Sequence, residues 1–326
     1  MAEAEGPQSR VACRAYGRLV EWLAASGGSV AVTTYNSGRL LVLAAPEGRL
    51  RWRAWRFERP MGLAVEGDRA ALAVREEVLR FSARQTESGG RLRQVGQCET
   101  GRVDTHEVAI VGSRVLFANT RANCVARAKP GGGYAVRWRP SFVDPELRRD
   151  QCHMNGLGVR DGELATVTLF GRSDQPRGWR TDARYSSGEL MAVADESTLA
   201  GGLCMPHSPR WHDGRWWLCD SGRGTLCRVS DSKAEPIAEL PGFTRGLCIV
   251  GGYALVGRSR FRDEHVLDTK RITGRTQTPR SGVSLVDLAS GKEVGGVDFL
   301  RGGREVFEVT LLPGLPRPRL VLPTEL

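Results

Sequence analysis

The sequence predicts an all-β protein, a six-bladed β-propeller with a short N-terminal helix. The first indication is a β-meander in residues 205–229, where Asp213-Gly214 separates two apolar runs. Asp-Gly between such runs is a strong hairpin signal. The second indication is that the same unit repeats along the chain, and the third is that the two ends of the chain supply complementary strands.

Six segments share one order of parts: a loop, an apolar inner strand, a turn with Gly or Asp, a second strand and a polar tip. Their inner strands are predicted at residues 61–65, 106–110, 155–159, 207–211, 245–249 and 307–311. The first and last begin 246 residues apart over five intervals, so the mean spacing is about 49 residues. Four-stranded propeller blades repeat at roughly 40–50 residues. Six inner strands therefore predict six blades, and a seven-bladed ring is the rival if residues 258–300 contain another blade.

The N-terminal region is predicted to contain the helix and the strands that close the ring. Residues 11–26 carry a helical pattern, and residues 28–55 form strands that lack an inner strand of their own. The C-terminal inner strand can join them, which removes the open edge of the sheet. We therefore predict an N-terminal arm with a helix over residues 1–27. Residues 28–326 are predicted to form one propeller domain, closed by strands from both of its ends.

Composition and charge restrict the class of protein. The formal net charge is +10, and the arginines are spread along the chain without a dense block. This favours an anionic small-molecule substrate over a nucleic acid as partner. None of the eight cysteines forms a CxxC pair, and no apolar stretch suits a secretory signal or a membrane span. These features predict a cytoplasmic protein with reduced thiols and no membrane partner, and they leave its oligomeric state open.

Four strings carry a resemblance to a known family. They are Cys-His-Met-Asn-Gly-Leu at 152–157, Met-Pro-His-Ser-Pro-Arg-Trp at 205–211, Asp-Ser-Gly at 220–222 and Pro-Gly-Phe-Thr-Arg-Gly-Leu at 241–247. With them the chain resembles a bacterial protein family of unknown function, some members of which carry TPR repeats. The sequence departs from that family at Glu107, where Asp is expected, and at Ser281, where Cys is expected. More distantly, the chain resembles six-bladed propellers of the strictosidine-synthase and gluconolactonase type, several of which hold a metal in the central channel through carboxylate and amide ligands.

Three of the five histidines fall at or beside the start of an inner strand. His106 and His207 occupy equivalent positions in the repeat, and His153 lies two residues before the equivalent Asn155. Inner strands line the channel and side chains alternate along a strand, so the three rings are predicted to meet at the channel mouth. We expect them to bind one divalent transition metal, Fe, Cu or Zn. The alternatives are metal-free acid–base chemistry by the same histidines and a purely structural role.

Arginine and amide side chains are predicted to hold the substrate. Arg245 has the equivalent position in another repeat, and its fork of donors suits a carboxylate or phosphate. A salt bridge from Arg245 to Glu308 or Asp220 is the alternative. Asn119 and Arg258 follow second strands and are the other candidates for substrate binding.

Three residues near the inner strands are candidates for catalysis, namely Glu107, Asp220 and Asn155. Asp220 also suits a turn. The remaining histidines, His212 and His265, are expected to face solvent, because one lies at a hairpin turn and the other in an irregular stretch.

Three classes of function remain open. The first is a biosynthetic enzyme with a metal held by histidines, and the second is a metal-free lyase, cyclase or isomerase that uses the same histidines. The third is a propeller that binds a protein partner without catalysis. A propeller fold alone does not choose among these classes. The clustering of rare histidines in the channel favours an enzyme over a binding module.

Overall fold

The computed structural model describes residues 11–87, 89–260 and 279–323. Within them one α-helix, α1 (Leu19–Ala25), accompanies 26 strands in six sheets. In chain order the strands are β1 (Ala12–Gly17), β2 (Ser29–Thr34), β3 (Arg39–Ala44), β4 (Arg51–Arg56), β5 (Leu63–Glu66), β6 (Arg69–Ala73), β7 (Glu77–Arg84), β8 (Arg91–Glu99), β9 (Thr105–Val111), β10 (Arg114–Asn119), β11 (Cys124–Ala128), β12 (Tyr134–Trp138), β13 (Gly156–Arg160), β14 (Glu163–Leu169), β15 (Gly188–Ala192), β16 (Thr198–Leu203), β17 (His207–His212), β18 (Arg215–Asp220), β19 (Thr225–Ser230), β20 (Lys233–Glu239), β21 (Phe243–Val250), β22 (Tyr253–Ser259), β23 (Gly282–Asp287), β24 (Lys292–Arg301), β25 (Val306–Leu312) and β26 (Arg319–Val321).

The six sheets are the six blades of the predicted propeller. Blade 1 runs outwards as β25-β2-β3-β4, so its inner strand comes from the C-terminal part of the chain and its other strands from the N-terminal part. Blades 2 to 6 begin with β5, β9, β13, β17 and β21. Each inner strand contacts the inner strands of both neighbouring blades, and β21 contacts β25, which completes the ring. The six-bladed fold is confirmed.

Apolar side chains from facing blades form the core between them. Strand β2 is buried along its whole length, and its residues alternate between two clusters. Val30 and Val32 pack towards blade 6, whereas Ala31 packs towards blade 2. This is the period of two that a strand buried on both faces requires. Leu19 and Leu23 of α1 extend the first of these clusters.

The N-terminal helix is shorter than predicted, because residues 12–17 form a strand. Strand β1 pairs with β24 and adds a fifth strand to blade 6. The helical pattern over residues 11–26 was therefore wrong in its first part. Gly17 ends the strand with a φ of 56°, and a Cβ there would lie 2.4 Å from the carbonyl oxygen of Val294. The close approach of the two strands thus needs glycine, and the helix begins only after it.

The C-terminal strand β26 covers the outer edge of blade 2 by pairing in parallel with β8. No helix in the described part of the chain is long and apolar enough to cross a membrane. Residues 261–278, which contain His265 and most of the irregular stretch around it, lie outside the described residues.

Candidate functional site

The three predicted histidines and Arg245 lie at the channel mouth where the inner strands begin. In each blade the second strand runs antiparallel to the first, so the turn that follows it returns to the same mouth. Inner-strand starts and second-strand tips are therefore neighbours, and side chains from both interact there.

His106 and His207 are held in the same way in two different blades. Nδ1 of His106 lies 2.9 Å from the carbonyl oxygen of Asp104 and 2.7 Å from the hydroxyl of Thr120. Nδ1 of His207 lies 3.0 Å from the carbonyl oxygen of Met205 and 2.9 Å from the hydroxyl of Ser221. Both carbonyls come two residues before the histidine, and both hydroxyls come fourteen residues after it.

This arrangement fixes the tautomer of both rings. A carbonyl oxygen only accepts, so Nδ1 of His106 and of His207 carries the proton and Nε2 is left with a lone pair. The Thr120 hydroxyl donates in turn to the carbonyl oxygen of Met154 at 2.7 Å. Burial, followed by the nearby His153, lowers the pKa of His106 to about 3. Burial, with Arg245 next, also holds the pKa of His207 well below its usual range. Both rings are therefore uncharged at neutral pH.

His153 has a carboxylate partner instead of a carbonyl. Its Nδ1 lies 2.6 Å from Oδ2 of Asp150, and its backbone N–H donates to Oδ1 of the same residue at 2.8 Å. The indole N–H of Trp179 donates to Oδ2 at 2.9 Å. Burial acts to raise the pKa of Asp150, but the hydrogen bonds from His153 and Trp179 outweigh it, and the pKa lies below its usual range. The carboxylate is thus ionised and orients the ring of His153.

Ring contacts join the three histidines around the mouth. The ring centroids of His106 and His153 lie 4.9 Å apart, and Phe170 packs 4.4 Å from His153 and 5.3 Å from His207. Further contacts extend the belt with the rings of Trp179, Phe243, Phe307 and Tyr35. Among the described residues, Nε2 of none of the three histidines has a hydrogen-bond partner. The mouth therefore offers three ring nitrogens within an aromatic belt.

Arg245 stands at the same mouth, as the repeat predicted. Its guanidinium carbon lies 4.0 Å above the ring centroid of Phe307, and two of its nitrogens face the carbonyl oxygen of Val306 at 3.2 and 3.3 Å. Its charge contributes to lowering the pKa of both His106 and His207. The proposed salt-bridge partners of Arg245 bind other arginines, since Glu308 pairs with Arg210 and Asp220 with Arg223.

Glu107 belongs to a buried ion cluster in the channel. Arg210 donates to Glu107 through Nη1 and to Glu308 through Nη2, the latter at 3.1 Å. The pKa of Glu107 is raised to about 7, because burial and the charge of Glu308 together outweigh the opposing charge of Arg210. Oε2 of Glu107 also accepts the backbone N–H of Leu157 at 3.2 Å. This cluster joins the inner strands of three blades, so the contacts of Glu107 hold the channel together.

The other candidates are internal to the protein. Asn155 donates to the carbonyl oxygen of His153 at 3.0 Å and accepts from Thr168 at 2.8 Å, so it supports the loop of His153. Asp220 accepts the backbone N–H of Cys204 at 2.7 Å. Asn119 is buried, and its side-chain oxygen Oδ1 accepts the backbone N–H of Ala122 at 2.9 Å, as is common for a turn residue.

Arg258 does not reach the mouth. Its side chain is 0 % exposed and donates to Asp298 and to the hydroxyl of Tyr16, each at 3.0 Å. It therefore joins the outer strands of blade 6. His212 lies at its hairpin, partly exposed and 3.5 Å from Asp213.

The predicted metal ligands are close but do not form a complete set. In residues 11–87, 89–260 and 279–323, no group of three or more His, Cys, Asp or Glu side chains is placed to hold a metal ion. The eight cysteines are free, and six of them are buried.

Sequence reasoning missed the partners of the histidines. Asp150 lies in a loop outside the aligned repeat, and its spacing of three residues before His153 was the only available signal. Thr120 and Ser221 share one spacing from their histidines, which a comparison of the repeats would have found. The strand pattern assigned no role to Arg210, which a bulge between His207 and Arg210 directs into the channel.

Comparison with known proteins identifies the family and supports the fold. Residues 17–321 match the family described as Domain of unknown function (DUF4915). No curated protein matches the chain.

Three solved structures are similar to this chain. The structure of a nidogen/laminin complex has a TM-score of 0.58 at 14 % identity, covering 88 % of this chain and 98 % of that chain. A protein of unknown function from Bacteroides caccae has a TM-score of 0.55 at 11 % identity, covering 87 % and 98 %. A gluconolactonase from Xanthomonas campestris has a TM-score of 0.49 at 14 % identity, covering 84 % and 86 %. At such identities the first two structures support the propeller fold alone.

Proposed function

The chain belongs to the DUF4915 family, and we propose that it is an enzyme that uses histidine acid–base chemistry on an anionic small molecule. The site is the channel mouth. The observation that carries this proposal is the Asp150–His153 pair, in which the carboxylate holds Nδ1 and leaves Nε2 without a partner among the described residues. A histidine held in this way is the usual arrangement of a general base.

Each residue of the site has a role that follows from its contacts. Nε2 of His153 takes a proton from the substrate, and Asp150 stabilises the imidazolium that forms. Nε2 of His106 and of His207 accepts hydrogen bonds from substrate hydroxyl or amino groups, because both rings carry their proton on Nδ1. Arg245 binds the anionic group, and the aromatic belt contacts the apolar part of the substrate.

The reaction class follows from these roles. A single base that takes a proton and returns it at another atom performs an isomerisation or a cyclisation, and one that removes a proton beside a leaving group performs an elimination. We therefore propose a lyase, cyclase or isomerase.

A metal enzyme is the second candidate. Nδ1 of His106 and of His153 is held by an oxygen, and metal-binding histidines are commonly oriented in this way. Their rings are adjacent, with Nε2 unbonded to described residues. Fe, Cu or Zn on these nitrogens would polarise an oxygen of the substrate, and such a site would need ligands beyond these two.

The proposal is tested on a mixture of small metabolites, because it does not name a substrate. The protein is incubated with a protein-free extract of bacterial cells, and anionic compounds are followed by mass spectrometry. We expect one anionic compound to disappear as a product of equal mass, or two products of equal summed mass, forms. Treatment with a chelator should leave this conversion unchanged. No conversion, or conversion only with an added metal, would contradict the acid–base proposal.

A further inference from the structure

Three arginines, two from one hairpin and one from the C-terminal part of the chain, stand side by side on the outer edge of blade 2. Arg84 of β7 lies directly opposite Arg91 of β8, and Arg91 lies directly opposite Arg319 of β26. Residues directly opposite on neighbouring strands share one face of the sheet, and like charges in this arrangement destabilise it. All three side chains are exposed. The edge strand β26 thus adds a positive charge where one strand pair already carries two.

The positive surface extends in two directions from this row. Arg93 is exposed and lies two residues after Arg91, so it shares the same face. On the side of blade 1, Nη1 of Arg53 lies 3.4 Å from the carbonyl oxygen of Pro318. Arg53 therefore lies beside the segment that carries Arg317 and Arg319. Burial lowers the pKa of Arg53, and the charges of Arg319 and Arg317 add to this effect.

We call this surface the arginine edge, and it comprises Arg53, Arg84, Arg91, Arg93, Arg317 and Arg319. Within the described part of the chain no carboxylate forms a salt bridge with any of them, although many other arginines there have one. A folded protein that keeps six like charges together without counter-charges gains from an external anion. These arginines do not form a block in the sequence, because the surface is built by strands from the N-terminal and the C-terminal parts of the chain.

We propose that the arginine edge binds the phosphate backbone of double-stranded nucleic acid without reading its sequence. Arginine donates through a planar fork that matches phosphate oxygens. Arg91 and Arg93 are about 7 Å apart along their strand, and neighbouring strands are about 4.8 Å apart, so the charges form a row rather than a single pocket. Strands β8 and β26 contain no aromatic residue. Single strands are commonly bound by stacking on aromatic rings, so this surface suits a duplex.

Salt dependence of binding tests this proposal. A fluorescein-labelled DNA duplex is titrated with the protein over a range of salt concentrations, and binding is followed by anisotropy. The triple variant Arg91→Gln/Arg93→Gln/Arg319→Gln should weaken binding at least tenfold. It should also reduce the slope of log K against log salt by about 2.7, since each phosphate contact contributes about 0.9. The same three positions changed to Lys should keep most of the slope, which also shows that the edge still folds.

A matched triple variant separates the arginine edge from net charge. Arg137 in blade 3, Arg148 in the loop after it and Arg215 in blade 5 are all exposed. Changing these three residues to Gln removes the same amount of positive charge. This variant should bind the duplex with an unchanged slope. Equal weakening by both Gln triples would overturn the proposal in favour of general attraction to a basic protein. Tighter binding to an acidic peptide or to anionic lipid vesicles than to the duplex would also overturn it.

Discussion

Oδ2 of Asp150 lies 2.6 Å from Nδ1 of His153, and it also accepts the indole N–H of Trp179. The pair lies in a loop that leads into the inner strand of blade 4, at the channel mouth shared with His106 and His207. One carboxylate therefore fixes the position and the tautomer of a ring whose other nitrogen is unbonded to described residues. The proposed chemistry depends on this relationship.

The first prediction concerns the tautomer of His153. The wild-type ring should carry its proton on Nδ1 when it is neutral, because Asp150 only accepts. In Asp150→Asn the amide can turn its NH₂ group towards Nδ1, and the ring should then move its proton to Nε2. Nitrogen-15 NMR of the histidine side chains distinguishes the two forms. An Nε2–H tautomer in the wild type would contradict the assigned role of Asp150.

The second prediction concerns the hydroxyl of Thr120. Thr120→Val keeps the shape but leaves the buried carbonyl oxygen of Met154 without its donor, which should lower the free energy of unfolding by about 1–3 kcal/mol. Thr120→Ser keeps the hydroxyl and should lose less than half as much. Urea unfolding measures both values. Equal losses in the two variants would show that packing of the methyl group, and not the hydrogen bond, is responsible.

The third prediction concerns the pH dependence of stability. Burial raises the pKa of Glu107 from 4.5 to about 7, so between these values the folded protein binds a proton that the unfolded chain does not. The contribution of Glu107 to stability is therefore present at low pH and is lost as the pH rises towards 7.

A variant that cannot titrate isolates this effect. As the pH rises from 5 to 7, the unfolding free energy of the wild type should fall relative to that of Glu107→Gln. The slope should approach about 1.4 kcal/mol per pH unit. Urea unfolding at several pH values gives this slope. A difference that is constant with pH would mean that Arg210 keeps Glu107 ionised throughout.

Much of the fold followed from the sequence, because blade repeats carry a period that side-chain patterns make visible. The inner strands were located to within two residues of their starts, and His106, His207 and Arg245 were placed at the mouth. The contacts behind these residues were not predictable in the same way. Asp150 acts from a loop outside the aligned repeat, and Arg210 reaches Glu107 across the channel, so the blade repeat predicts neither contact. The sequence pattern places Arg258 just after a second strand, as it does Asn119, but the side chain of Arg258 is buried in blade 6, where it donates to Asp298 and Tyr16.

The fourth prediction separates acid–base chemistry from metal chemistry. Protein purified without a histidine tag should contain far less than one transition-metal ion per chain, because the described residues do not assemble three ligands. Elemental analysis before and after incubation with Fe(II), Cu and Zn measures this content. About one bound ion per chain, lost in each of His106→Ala, His153→Ala and His207→Ala, would support the metal site that the sequence predicted.

The most direct test of the central claim compares two histidine variants in the conversion of an anionic metabolite. His153→Gln removes the proposed base, whereas His212→Gln changes a histidine at a hairpin away from the channel mouth. The account predicts that His153→Gln slows the conversion by about 10²–10⁴-fold, the usual contribution of a general base, and that His212→Gln leaves it nearly unchanged. Equal rates in the wild type and His153→Gln, with both variants folded, would contradict the account.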